Sequence, residues 1–493
     1  MRRVARGIAL VLGLVAVVPA AADHWKQLDR RALEFSNQGR YHDALVYALK
    51  ARDGARAEEG ARSDPYLATT IRAASASVDV GDLAQAKSLA REAEALTPAN
   101  PILRARLLMV QAEIALAEER HGEAARLNRQ ALETAERTSA PGHLRAEIAN
   151  RLGLALKRAG RYEEAERAYR QALALAAGDA GKERVVLNNL GLLYYDAGDL
   201  ARAEEYLKQA VDLARRRVNA MGEDTAGSYT GLAKVYLELG RPRQAEALLH
   251  EALGLVSQNG ILDTLSGHLV LLNLCIALND LSRPAEAETY CRKAASVARN
   301  LGPGFQVEPQ LHLARALSLQ GRPLTARRAL DKAQKLARRT GNPEDLAHTH
   351  YTLGLHLIAQ RRFDAARDHL RQALDVLPGS ARAIQRAAIL GALGQATLLA
   401  GDARAAIPLL EQARTIEARL TPGAANYAAT LFILAKAHHR LGQADKARAL
   451  YRQALPIATQ AGDSATAAGI RRHLRRLDAG QPPDLGALAE VGR

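Results

Sequence analysis

Small and large apolar residues recur along this chain at helical spacing, and one short pattern returns from near one end to near the other. In Gly160–Leu173, GRYEEAERAYRQAL, the residues Ala165, Tyr169 and Ala172 stand at i, i+4 and i+7 on one helical face. Two of the three are small, so a neighbouring helix can come close, and the segment cannot bury this face alone. With Ala165 as a marker, equivalents stand at Ala44, Ala86, Ala124, Ala203, Ala245, Ala287, Ala326, Ala366, Ala406 and Ala447, separated by 38 to 42 residues. Further copies read GDLARAEEYLKQAV, GRPRQAEALLHEAL, RRFDAARDHLRQAL and GQADKARALYRQAL.

The segment before each marker has a helical pattern of its own. Ile148–Gly160 carries an apolar face through Leu152, Gly153 and Leu156, and Val185–Gly198 repeats it with Leu190, Gly191 and Tyr194. A glycine or alanine recurs twelve residues before the marker, at Gly153, Gly191, Ala233, Ala314, Gly354, Gly394 and Ala435. Glycine inside a helix costs about 1 kcal/mol relative to alanine. Its return at one phase therefore predicts helix pairs in close contact. The expected fold is an all-α array of about eleven antiparallel helix pairs in which repeats add length without adding domains.

The pattern resembles the tetratricopeptide repeat (TPR) family. The family's small and large positions map in the fourth repeat onto Gly153, Ala165, Ala172, Leu152, Leu156 and Tyr169. The spacing near 40 is similar to the longer repeats of kinesin light chains, as are EDTAGSY before GLAKVYLELG and TPG before NYAATLFILAKAHHRLG. The second repeat fits least well, with Thr70, Ala73 and Ser77 where large apolar residues are expected. The resemblance implies a right-handed superhelical solenoid whose concave groove, lined by first helices, receives peptides or protein segments. Its inward positions fall here on Asn150, Arg151, Lys157, Arg158, Asn188, Asn189, Tyr195, Lys234, Asn273, His312 and Arg315. Asparagine amides both donate and accept, and Arg or Lys can hold a carboxylate. The full Lys-Asn-Asn-Lys-Arg set with which some members clamp a C-terminal carboxylate is absent. Later inward positions, Leu355, Ile358, Leu398 and Leu399, are apolar and offer a surface for a partner's side chains or for self-association.

Cys275 and Cys291 fall on facing positions of the seventh helix pair, and are either a disulfide stapling the pair or two small buried thiols. Side-chain directions decide between these, and they are not legible in sequence.

Composition changes the picture at the ends of the chain. Arg2, Arg3 and Arg6 precede an apolar run from Gly7 to Val18 and then Ala20-Ala21-Ala22, the layout of a secretory signal peptide cleaved after Ala22. The rival is an uncleaved anchor, for which the run is short, since spanning takes about 20 residues. The expected organisation is 1–22 signal peptide, 23–462 solenoid, 463–478 capping helix and 479–493 mobile tail. The mature chain would be exported, to the periplasm if the source has two membranes. Residues 51–66 and 302–309 read as loop-like insertions.

The net charge of +15 falls to +12 without residues 1–22, which hold three arginines and no acid. Acids and bases alternate along the helices, so the excess reads as a solvated basic surface. Nucleic acid is not an expected partner of an exported chain, whereas an acidic glycan is an alternative one.

Enzyme chemistry finds little support. Gly181-Lys182-Glu183 lacks the first glycine and the hydroxyl of a phosphate loop, and the nucleophile-elbow pattern G-x-S-x-G is absent. Of the fourteen histidines none stand at i, i+3 or i, i+4; His348, His350 and His356 point to different sides of one helix. No catalytic, cofactor or metal site is predicted. The function expected is that of an exported, non-enzymatic scaffold or adaptor that binds a protein or peptide segment in its groove. The alternatives are a periplasmic scaffold in polysaccharide export and a self-assembling module.

Overall fold

The computed structural model describes residues 24–37, 39–96, 99–216, 223–377 and 383–485. Residues 1–22, read above as a signal peptide, and 486–493, the end of the expected tail, lie outside the described residues. The chain divides into two compact units, one up to Ala140 and one from Pro141.

The first unit holds α1 (His24–Asn37), α2 (Tyr41–Glu59), α3 (Asp64–Asp79), α4 (Leu83–Ala95), α5 (Pro101–Ala117) and α6 (His121–Arg137). The second continues with α7 (Gly142–Arg158), α8 (Tyr162–Leu175), α9 (Ala180–Asp196), α10 (Leu200–Arg216), α11 (Glu223–Glu238) and α12 (Pro242–Gln258). Next come α13 (Leu265–Asp280), α14 (Pro284–Leu301), α15 (Val307–Leu319), α16 (Pro323–Thr340), α17 (Pro343–Ala359) and α18 (Phe363–Val376). It ends with α19 (Ala383–Leu399), α20 (Ala403–Leu420), α21 (Ala425–Arg440), α22 (Ala444–Gln460) and the unpaired α23 (Ser464–Asp478). Odd-numbered helices are the first of each pair and even-numbered ones the second.

Every marker alanine is buried, none more than 2% exposed. Five residues before each one the backbone turns through the left-handed region. Glycine fills that place at Gly39, Gly81, Gly160, Gly198, Gly240, Gly321, Gly401 and Gly442, and Glu119, Ser282 and Arg361 fill the other three at φ of 60, 56 and 60°. The helices of a pair meet where the small residue of the first faces a large one of the second, sixteen residues on. A Cβ added to Gly153 would lie 2.6 Å from the Tyr169 ring, one on Gly191 2.4 Å from Leu207 Cγ, and one on Gly354 or Gly394 2.6 Å from Leu370 or Leu410. At these four pairs glycine's cost in helix propensity is thus offset by an approach that leaves no room for a Cβ.

In the first unit, Thr70 and Ser77 of α3 are fully buried and donate to the carbonyls of Tyr66 and Ala73 one turn back, both at 2.8 Å. Polar residues at apolar positions are thereby satisfied inside their own helix. Arg52, Tyr66 and Glu92 bond α2, α3 and α4 together; Arg52 Nη2 donates to Glu92 Oε2 at 2.9 Å and to the Tyr66 hydroxyl at 3.1 Å. The insertion expected at 51–66 is mostly helix. The buried stripe Ala44, Ala48, Ala51, Ala55 carries α2 on to Glu59, and Gly54 leaves room for Trp25. Likewise Val307, fully buried, starts α15 inside the stretch expected to be a loop.

In the second unit, successive first helices pack on one another, α7 on α9 and so on to α21 on α23. First helices crowd on those of neighbouring repeats more than second helices do, which puts first helices on the inner side of the curve. The curve brings distant repeats together: a Cβ on Gly240, in the α11–α12 turn, would stand 3.4 Å from the Ala425 backbone nitrogen. Leu420, at the end of α20, lies the same distance from such an atom on Gly198. A recurring ion pair ties three second helices, α10, α12 and α14, to the turn of the next pair, Arg241 to Glu204 at 3.1 Å, Arg283 to Glu246 at 2.6 Å and Arg322 to Glu288 at 3.0 Å.

Candidate functional site: the inner face of the second unit

The inward residues expected from sequence are mostly bonded to their neighbours along the stack. Asn189 Nδ2 donates to Asn150 Oδ1 at 2.9 Å, joining α9 to α7. Lys157 pairs with Asp196 at 2.8 Å, Tyr195 donates to Glu238 at 3.1 Å, and Arg315 pairs with Asp280 at 2.7 Å. Arg151 pairs within its own helix with Glu147 at 3.1 Å. Asn273 is 1% exposed and donates to the Leu269 carbonyl, so it belongs to the core and not to the groove. Asn188 Oδ1 is buried without a partner among the described residues. Lys234 is exposed.

The apolar surface expected at later repeats is largely absent. Ile358 is 4% exposed and Leu398 0%, each within a core cluster, and Leu355 and Leu399 pack against the same clusters. Helical phase placed these residues toward the inner side, but neighbouring first helices cover them.

His312, expected from sequence to point inward, is joined there by His348 and by Tyr351, which sequence reasoning did not single out. His312 of α15 and His348 of α17 bring their rings to 5.5 Å, and the His348 ring lies 6.5 Å from that of Tyr351. Crowding by the surrounding helices, then the neighbouring His348, holds His312 well below the usual histidine range. The same crowding pushes the Tyr351 hydroxyl up. His312 and Tyr351 are each half-buried. The available signal for inward partners was opposite charge at inward positions of adjacent repeats, as with Lys157 and Asp196.

His348, His350 and His356 leave α17 toward different neighbours, as their phase implies. His350 Nδ1 meets His369 Nδ1 at 3.0 Å, and His356 contacts Ser318 and Gln360. Among the described residues no three metal-ligating side chains gather. Cys275 and Cys291 are joined, with Cα atoms 5.2 Å apart. They occupy the contact that glycine makes with tyrosine or leucine in other pairs, at the same separation of 16.

Closely packed helix pairs with a polar inner face define an all-α solenoid of the helical-repeat class. A family model described as "MalT-like TPR region" matches residues 154–349, and one described as "Tetratricopeptide repeat" matches 103–177 and 385–460. The chain belongs to the tetratricopeptide repeat family. Among solved structures, the apo form of RapI has 12% identity and a TM-score of 0.55, over 72% of this chain and 98% of that one. The apo form of the quorum sensor NprR from B. thuringiensis has 14% and 0.54, over 71% and 100%. A Podosopora anserina chain of nearly identical kinesin light chain TPR-like repeats has 19% and 0.35, over 41% and 99%. These likenesses concern the fold. No curated protein sequence matches the chain. No helix among the described residues is long and apolar enough to cross a membrane.

Proposed function

We propose that this protein is an exported, non-catalytic scaffold that holds an extended protein segment along the inner face of its second unit. The observation that carries the reading is the set of polar and aromatic side chains on the first helices α7, α9, α11, α15 and α17: Asn150, Asn189, Tyr195, Lys234, His312, Arg315, His348 and Tyr351. Packed helices stand about 8–10 Å apart, and an extended chain rises about 3.3 Å per residue. Each first helix therefore meets roughly every third residue of such a segment, which gives a register between repeat and ligand. The polar pairs can exchange bonds with a peptide backbone while leaving the apolar contacts between helices untouched. Export is supported by the basic, apolar and small-residue order of residues 1–22 and by the joined cysteines, which suit an oxidising compartment. Peptides selected from a random library on the full chain should bind at least ten-fold more weakly to Tyr351→Ala and to Lys234→Glu, with helix content unchanged. Equal binding to both variants refutes the reading.

A further inference from the structure

The C-terminal end of the second unit contains a group of polar side chains that the core should not tolerate. Lys436, Tyr451 and His473 are each 0% exposed and His439 is 8% exposed, inside a cluster that includes Phe432, Ala435, Ile470 and Leu477. Lys436 Nζ, the Tyr451 hydroxyl, His439 Nδ1 and both ring nitrogens of His473 have no hydrogen-bond partner among the described residues. The groups converge. The His473 ring stacks 6.1 Å from that of Tyr451 and stands 5.5 Å from Phe432, His439 is 6.4 Å from Tyr451, and Lys436 Nζ sits 4.7 Å over the Phe432 ring. A buried ammonium without an acceptor is costly. The unpartnered groups gathered around it are of a kind that suits an anion.

Lys436 stands eleven residues before its marker, the phase of Lys234 and Arg315 on the inner face. The chain's own tail covers it. Beyond α23, His439 Nε2 meets the Gln481 carbonyl at 2.8 Å, and Arg476 Nε donates to the Pro482 carbonyl at 2.9 Å. Pro483 is buried, and Leu485 packs against the cluster of Leu398, Ile433, Leu434 and Ala437. Between them Asp484 is the acid whose charge acts on both Lys436 and His473. The segment has no regular secondary structure, and its paired prolines favour an extended course at low entropic cost.

We propose that this end of the inner face is a binding subsite for an extended protein segment bearing a carboxylate followed by an aliphatic side chain, and that Asp484 and Leu485 cover it in cis. Asp484 leaves Lys436 Nζ without a hydrogen bond; a carboxylate seated fully in the subsite is received by Lys436 with His439, Tyr451 and His473 around it, and the aliphatic side chain by the surface at Ile433. The inference rests on the groove reading and names the chemistry of one part of the segment held there. A tethered tail has an effective concentration in the millimolar range, so a partner's segment must displace it.

The test uses the full chain and a fluorescent peptide of the sequence of residues 480–487, GQPPDLGA. A chain carrying Asp484→Asn and Leu485→Ser, whose own tail is weakened, should bind the peptide at least ten-fold more tightly than wild type. A peptide with Asn in place of the aspartate should bind that chain at least ten-fold more weakly, a comparison that does not depend on the folding of any further variant. Adding Lys436→Met should abolish the discrimination between the two peptides. No binding to the weakened chain, or equal binding of the two peptides, overturns the subsite. If library-selected peptides still respond to Tyr351→Ala, that failure leaves the groove reading intact; loss of both removes it.

Discussion

Replacing Gly191 by alanine should destabilise the protein, although alanine is the better helix former. The added Cβ would stand 2.4 Å from Leu207 Cγ and 3.0 and 3.2 Å from its two methyl carbons, where carbon atoms prefer about 3.5–4.0 Å. Leu207 is fully buried and has nowhere to retreat, so α9 and α10 must separate by an appreciable part of that deficit. Overpacking of this kind costs about 1–3 kcal/mol, and the gain in helix propensity is about 1 kcal/mol. The net loss is about 1 kcal/mol. Gly254 of α12 provides the control, because a Cβ there meets nothing within 4 Å and Gly254→Ala should stabilise by about 0.5–1 kcal/mol. Urea unfolding followed by circular dichroism, with amide exchange to localise the effect in α9 and α10, reads both signs. A Gly191→Ala chain as stable as wild type would refute the argument that close approach to Leu207 dictates glycine in this pair.

Three other outcomes follow from particular contacts. Ser282 holds a φ of 56° where eight repeats have glycine, so Ser282→Gly should raise the unfolding midpoint, by about 1 kcal/mol at most once glycine's unfolded-state entropy is counted; a lower midpoint contradicts this. Denatured, unreduced protein should bind no thiol reagent, and reduction should cost about 3 kcal/mol for a loop of this length; two titrating thiols would count against the bond. Burial pushes Glu417 up to about 7 from an ordinary 4.5, so between those values the folded chain keeps a proton that the unfolded chain has lost. The stability contributed is complete below about pH 4.5 and is lost as the pH rises through 7, amounting to about 3 kcal/mol. Glu417→Gln should therefore be more stable than wild type at pH 8 and show no advantage at pH 4, and a constant difference at all pH values contradicts the assignment.

The repeat was legible because one face of every second helix obeys one rule. Ala165 and its equivalents, the small residue twelve positions earlier and the large one four positions later are all fixed by contacts within a single helix pair. That rule extends to Cys275 and Cys291, whose separation is the one between Gly191 and Leu207. The inner face was legible only as a phase. Position in the helix pointed Asn189, Lys157 and Arg315 inward, but Asn150, Asp196 and Asp280 lie on neighbouring repeats, and spacing within one helix carries no information about them. Ile358 and Leu398 show the converse error, since the curvature of the stack buries residues that phase alone would expose. Lys436 shares the phase of Lys234 but was not singled out; its burial depends on α23 and on the returning tail, and neither contains the repeat.

The central claim is that the inner face of the second unit receives a protein segment, and site-specific photocrosslinking tests it most directly. A benzophenone amino acid is placed at position 351, inside the curve, or at position 328, an exposed site on the second helix α16, and each full chain is illuminated in extract of its source. The account predicts adducts from position 351 that map to one short stretch of one protein, and none to that stretch from position 328. Adducts from position 328 alone, or equal yields from both positions, would contradict it.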